Sequence, residues 1–279
     1  MQLGALKELF CVSLLEIFMQ WPDNTAMILN VLDAGEGPPL VLLHGLFGAA
    51  RNLGVLSRGL SSHFRVLALD LRNHGQSPRG ELMDYAIMAR DVAETLAHLS
   101  IFRARFCGHS MGGKTAMTLA LTEPSLVERL AVMDIAPVTY QHDHSDLIAA
   151  MRAVPLSASL TRGEADKVMA ATVKEAPVRA FLLNNLVLGE APYWRLGLDQ
   201  IDANITNLFR WDDPPGAEPY QGPALFLCGE RSNYVTSAAV PAILKRFPNA
   251  RIKHVAGTSH WLHAEKPDQV VGGLRDFFV

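Results

Sequence analysis

The chain has 279 residues, 49% of them hydrophobic, enough to bury one substantial core. Its 25 Lys plus Arg against 28 Asp plus Glu give a formal charge of −3, and no basic run could track a phosphate backbone, so nucleic acid is not an expected partner. Three cysteines, Cys11, Cys107 and Cys228, are too few for a disulfide framework; two of them end apolar runs that read as buried strands. No stretch reaches the ~18 apolar residues of a membrane span, and the N-terminus lacks a basic region and a small-residue cleavage site. A cytoplasmic location is expected.

Residues 1–26 differ in character from the rest of the chain. Leu3, Leu6, Phe10, Leu14 and Ile17 recur at helical spacing, with Lys7, Glu8 and Glu16 opposite. A helix this apolar covers a surface: the body of the protein, another subunit in a homo-oligomer, or a membrane interface. A further reading takes the stretch as an extension upstream of a start at Met27.

From Met27 onward apolar runs alternate with helical segments, the pattern of a mainly parallel sheet covered on both faces, an α/β fold. Expected strands are Ile28–Leu32, Leu40–Leu43, Arg65–Leu69, Arg105–Cys107, Leu130–Met133, Ala224–Leu227 and Ile252–Val255, with helices notably at Tyr85–Leu99 and Gly112–Thr122. Ligand chemistry in such a sheet sits at the carboxyl ends of the strands.

The strongest motif is Gly108-His109-Ser110-Met111-Gly112, between the strand ARFC and the helical KTAMTLALTE. Gly-x-Ser-x-Gly lets a strand turn sharply into a helix, with the serine on a strained backbone that lifts its hydroxyl clear of the sheet. The helix behind points its amino terminus at the reacting centre, which makes the Met111 N–H an oxyanion donor. A second donor comes from the loop His44-Gly45-Leu46-Phe47-Gly48, about 65 residues earlier. That donor is Leu46, or Phe47 if the turn is set one residue later, and His44 reads as a structural hydrogen bonder.

The base belongs last in the chain. Gly257-Thr-Ser-His260-Trp-Leu-His263 follows the final strand, and His260, first onto the loop, is favoured over His263. The orienting acid departs from the commonest pattern, because Gly229-Glu230-Arg231-Ser232 carries Ser232 where Asp is usual. Asp134, in AVMDIAPV, is the substitute, since its strand end also faces the histidine loop; Glu230 competes. Ser232 adds a hydrogen bond to the network if it faces Asp134, making four residues rather than three. In DLRNHGQSP, Arg72 and His74 read as loop-shaping groups.

HGLFGAARNLGVLSRGL, DLRNHGQSPR, GHSMGGKTAM, MDIAPVTY and AGTSHWLHAEKPD resemble the α/β-hydrolases, and among them the small bacterial YbfF-type esterases, from about Met27 to Val279. The resemblance implies an α/β-hydrolase body (27–138 and 222–279), a helical cap inserted after strand six (139–221), and activity on esters or acyl thioesters of modest chain length. It places the family's aspartate at Asp134 and its unusual serine at Ser232.

The insertion is rich in helix formers, with helical spacing in HDHSDLIAAMRAV, TRGEADKVMAATVKEA and VRAFLLNNLVLG. As a lid over Ser110, it would present Phe181, Leu182, Leu186, Tyr193 and Trp194, with Phe47 below, to a small-molecule ester or thioester; the other reading packs them only within the cap. No metal-ligand spacing is visible, and no cofactor is called for. The expected chemistry is acyl transfer to Ser110 and hydrolysis. Carbon–carbon hydrolysis, cofactor-free perhydrolysis, or a ligand-binding receptor that keeps the triad are the alternatives, whereas Ser110 argues against the carboxylate nucleophile of epoxide hydrolases and dehalogenases.

Overall fold

The computed structural model describes residues 27–141 and 144–279. The amphipathic segment 1–26, Cys11 and the subunit pairing expected there lie outside the described residues. Along the chain come β1 (Val31–Ala34), β2 (Pro39–Leu43), α1 (Gly54–Leu60), β3 (Arg65–Leu69), α2 (Tyr85–His98), β4 (Ala104–His109), α3 (Met111–Thr122) and β5 (Val127–Met133). Then follow α4 (Ser145–Arg152), α5 (Arg162–Met169), α6 (Ala176–Leu183), a ribbon of β6 (Leu186–Val187) with β7 (Tyr193–Trp194), and α7 (Leu198–Phe209). β8 (Ala224–Gly229), α8 (Val240–Arg246), β9 (Ala250–Val255), α9 (Leu262–Glu265) and α10 (Pro267–Phe278) complete it. No helix among the described residues is long and apolar enough to cross a membrane.

Seven strands form one sheet in the order β1-β3-β2-β4-β5-β8-β9, parallel throughout except for antiparallel β1. Alternate residues of each strand serve opposite faces. Val41, Leu43, Leu67, Phe106, Val132 and Phe226 pack with α2 and α3 on one side, while Leu40, Leu42, Val66, Cys107, Ala131 and Leu225 pack with α1 and α10 on the other. Both faces are buried, which is why these strands read as unbroken apolar runs. Cys107 and Cys228 are buried free thiols.

The first strand starts later than the expected Ile28, and hydrogen bonding gives the reason. The N–H groups of Met27, Leu29 and Asn30 go to the side chains of Asp91, Thr95 and Ser77, so they are not available to a ladder. Asp91 also takes Arg72 as a fully buried bidentate partner, Nε to Oδ2 at 2.5 Å and Nη2 to Oδ1 at 2.7 Å. This pair ties the 70–78 loop to α2.

The segment between β5 and β8 leaves from the carboxyl end of the sheet. Its exit strand, number six by the resemblance, is the fifth described here. Helical spacing anticipates α4, α5 and α6, with α5 opened by a reciprocal Thr161–Glu164 capping box, but not the ribbon pairing Leu186 with Trp194 and Val187 with Tyr193. The segment is pinned where it rejoins the body. Lys114, one turn beyond Ser110 on α3 and 1% exposed, donates from Nζ to the carbonyls of Phe209 (3.1 Å) and Arg210 (2.9 Å), the carboxyl end of α7. Its ammonium lies 5.3 Å from the ring centroid of Tyr85 and 4.9 Å from that of Tyr140. Burial pulls its pKa down to about 7, while two carbonyls and two aromatic faces favour the charged form. Lys114→Met is expected to strand the Arg210 carbonyl, to leave that of Phe209 only the Tyr140 N–H, and to cost about 2 kcal/mol, lowering the midpoint of a thermal unfolding scan by roughly 4–8 °C. An unchanged midpoint would remove this contact from the account of how the cap is held.

Candidate active site

Ser110 is the hinge between β4 and α3. Its φ of 51° and ψ of −116° lie outside the regions comfortable for a side chain, and the turn is pinned by its N–H on the Met133 carbonyl (3.0 Å) and its own carbonyl on the Lys114 N–H (3.0 Å). The flanking glycines are demanded by contact rather than by φ. A Cβ on Gly108 would stand 2.2 Å from the Gly112 carbonyl oxygen, and one on Gly112 would stand 2.4 Å from that of Leu43. Five non-glycine residues among those described have positive φ, and Phe47, Ser110 and Asp134 are three of them. Strain is concentrated where the motifs converge.

Asp134, directly after β5 and 0% exposed, is turned by its φ of 53° so that its carboxylate faces the end of β8. Its Oδ1 accepts the Gly229 N–H at 2.8 Å, and its Oδ2 accepts the Ser232 hydroxyl at 2.5 Å and His260 Nδ1 at 2.7 Å. A bond from Nδ1 to a carboxylate places the ring proton there and leaves the lone pair on Nε2. Glu230 instead accepts the Gly257 N–H at 2.7 Å on the exposed side of the loop.

His260 and Ser110 line one cavity. Among the described residues no hydrogen bond joins the Ser110 hydroxyl to the ring, and such contacts commonly tighten only with substrate bound. His263 lines the same cavity but makes no hydrogen bond to Asp134. Its ring centroid is 4.5 Å from that of His109, and burial holds its pKa down at about 4. His109, unremarked in the sequence as the variable residue of the motif, donates from Nε2 to the His260 carbonyl at 2.9 Å and so ties the Ser110 turn to the histidine loop. Burial, ahead of its three histidine neighbours, depresses its pKa far below the usual range and keeps it neutral.

The 45–48 turn is closed by the Gly48 N–H on the Gly45 carbonyl at 2.9 Å, with Phe47 at φ 59°. Its alternatives separate physically. The Phe47 N–H is already committed to His74 Nε2 at 3.1 Å, whereas Leu46 and Met111 have no N–H partner among the described residues. Two buried histidines hold the turn. His74 Nδ1 donates to the Arg72 carbonyl at 2.8 Å and His44 Nδ1 to that of Gly45 at 2.8 Å, while His44 Nε2 accepts the Leu71 N–H at 3.0 Å. Desolvation lowers both, His74 to about 3, which preserves the acceptor nitrogens these bonds require. The cap reaches the same turn through Asn185, whose Nδ2 donates to the Phe47 carbonyl at 2.8 Å.

The cavity has a volume of about 480 Å³. Leu46, Phe47 and Leu53 from the body and Leu147, Val173, Val178, Phe181 and Leu182 from the cap wall it, with Trp261 at one side. The side chain of Met111 is buried in the core behind the turn. Leu186, Tyr193 and Trp194 are corrected: the structure puts them in the cap ribbon and outside the cavity wall, Leu186 and Trp194 packed in the core and Tyr193 half exposed. Their apolar character serves cap packing. No group of three or more His, Cys, Asp or Glu among the described residues could hold a metal ion.

Comparison with known proteins bears on the fold and the family. A family model described as alpha/beta hydrolase fold matches residues 38–267. The chain is 44% identical over 250 residues to the sn-1-specific diacylglycerol lipase ABHD11 of Xenopus laevis, covering 86% of this chain and 80% of the relative. It is 40% identical over 240 residues to esterase YbfF of Escherichia coli strain K12, covering 86% and 92%. Among solved structures, a marine microorganism esterase superposes with a TM-score of 0.86 at 35% identity, covering 90% of this chain and all of that one. With a family match across most of its length and a sheet whose strand ends assemble the motifs, the chain belongs to the α/β-hydrolase family.

Proposed function

We propose that the chain hydrolyses carboxylic esters of short to medium acyl chains, and thioesters of the same acyl groups, with Ser110 as nucleophile, His260 as base, Asp134 as orienting acid and Ser232 as a fourth member of the network. The observation that carries this reading is the strained Ser110 turn sharing one apolar cavity with a histidine that Asp134 grips at 2.7 Å. The names of the relatives, esterase and lipase, point the same way.

In the first half-reaction His260 Nε2 takes the Ser110 proton as Oγ bonds the acyl carbon, and the Leu46 and Met111 N–H groups receive the oxyanion. Asp134 stabilises the imidazolium without taking its proton. Collapse expels the alcohol, which leaves with the proton from His260. Water, deprotonated by the same nitrogen, then attacks the acyl-enzyme, and the acid departs as Ser110 recovers its proton. The apolar walls contributed by Phe47, Phe181 and Leu182 would hold the acyl chain, and the cap side of the cavity would limit its length.

The test is hydrolysis of p-nitrophenyl esters and acyl-CoA thioesters from about two to sixteen carbons, where a cavity at the small end of the ligand-pocket range predicts a fall at the long end. Turnover with that profile supports the reading. No turnover on any chain length would move it to carbon–carbon hydrolysis or to a ligand receptor on the same scaffold.

A further inference from the structure

The imidazole of His260 does not stand in the cavity by its bond to Asp134 alone. The ring of Tyr234, five residues past the end of β8, lies face to face with it, centroids 3.9 Å apart and planes 19° from parallel. Tyr234 is itself held at both ends of its peptide unit. Its N–H donates to Ser232 Oγ at 3.2 Å, the same oxygen that donates to Asp134, and its carbonyl accepts the Tyr140 hydroxyl at 2.6 Å. Tyr140 is fixed in turn by the Ala136 N–H on its hydroxyl at 2.9 Å and by Lys114 over its ring. The stacked ring is therefore part of a braced assembly spanning β5, α3 and the loop after β8.

We propose that Tyr234 is a positioning residue for the catalytic base, its aromatic face stabilising the imidazolium that forms when His260 takes the Ser110 proton and holding the ring against rotation away from Ser110. The proposal rests on the mechanism above for the identity of the base. A cation is drawn to the electron-rich face of an aromatic ring, and a face at stacking distance acts on the protonated imidazole more than on the neutral one. That difference makes the interaction one of the transition state rather than of substrate binding. The other titratable groups around His260 are Asp134 from β5, His109 from the nucleophile turn and His263 from α9. Burial holds both of these histidines neutral, His263 at about 4, so neither titrates across the range in which the base works. Burial, with the nearby Asp134, raises the Tyr234 phenol and keeps it un-ionised as well.

The experiment compares Tyr234→Leu, Tyr234→Phe and the chain with mono-, di- and trifluorinated phenylalanine at position 234, which drain the ring face while barely changing its size. For Tyr234→Leu the expected result is a fall in kcat of roughly tenfold with KM within about twofold, and an acid limb of the kcat/KM profile displaced by about half a pH unit to lower pH. Tyr234→Phe is expected to recover both quantities. Each added fluorine is expected to lower kcat and move the acid limb a further step. A flat fluorine series overturns the proposal, and so does Tyr234→Phe falling as far as Tyr234→Leu, which would assign the effect to the hydroxyl. Titration of the His260 ring by NMR in the same isosteric series requires no turnover. A stepwise shift there with a catalytically silent parent would keep the stack and discard the esterase reading; no shift with an active parent would do the reverse.

Discussion

Ser110→Ala is expected to reduce ester turnover by roughly five orders of magnitude while leaving the fold intact, because the change removes the proposed nucleophile and no hydrogen bond that the protein itself uses. A companion variant makes the expectation sharper. Ser110 sits at φ 51° and ψ −116°, a conformation that costs any residue with a Cβ but is open to glycine. Ser110→Gly is thus expected to be as inactive as the alanine variant and yet more stable than the parent, by about 1 kcal/mol, visible as a raised midpoint in thermal unfolding. Activity and stability moving in opposite directions identifies strain held for function. Turnover that survives in either variant would displace Ser110 from the reaction; equal stability of the two would mean that the turn carries no strain worth the name.

The parts of this arrangement that could be read from the chain are those whose cause is local. Gly108 and Gly112 are required within a few residues of Ser110 by backbone contacts, so they leave a compact motif. The strands are legible because burial on both faces makes them continuous apolar runs. Asp134 carries no such mark. Its role arises from the meeting of the ends of β5 and β8 with the histidine loop, and the chain alone leaves Glu230 as a rival. His109, Asn185 and Tyr234 were equally silent, since each acts through a partner 138 or 151 residues away or through stacking. The cap misled in a specific way. A two-residue pairing such as Leu186 and Val187 with Tyr193 and Trp194 is too short to show a period, so its apolar residues look like a continuation of helix α6 and a wall for substrate.

Asp134→Asn is expected to lower kcat about ten thousand-fold, the scale seen when a triad carboxylate becomes an amide. The reason can be followed atom by atom. Asp134 is fully buried and acts only as an acceptor: Oδ1 takes the Gly229 N–H, while Oδ2 takes the Ser232 hydroxyl and His260 Nδ1. An asparagine must place its NH₂ on one side or the other. Turned toward His260, the amide donates, so Nδ1 must become the acceptor and the ring proton moves to Nε2, where the lone pair for Ser110 was needed. Turned toward Gly229, the amide sets a donor against a buried donor, at a cost of about 1–3 kcal/mol. Neither orientation preserves both the fold and the tautomer. Glu230→Gln has no such conflict, because its carboxylate accepts a single N–H from Gly257 at an exposed site and the amide oxygen of glutamine can accept the same bond. Near-parental kcat/KM is expected for Glu230→Gln on the ester that the chain-length series identifies as best. If Asp134→Asn came within tenfold of the parent on that ester, the 2.7 Å contact to His260 would be a structural bond, and the acid that orients the base would have to be sought elsewhere.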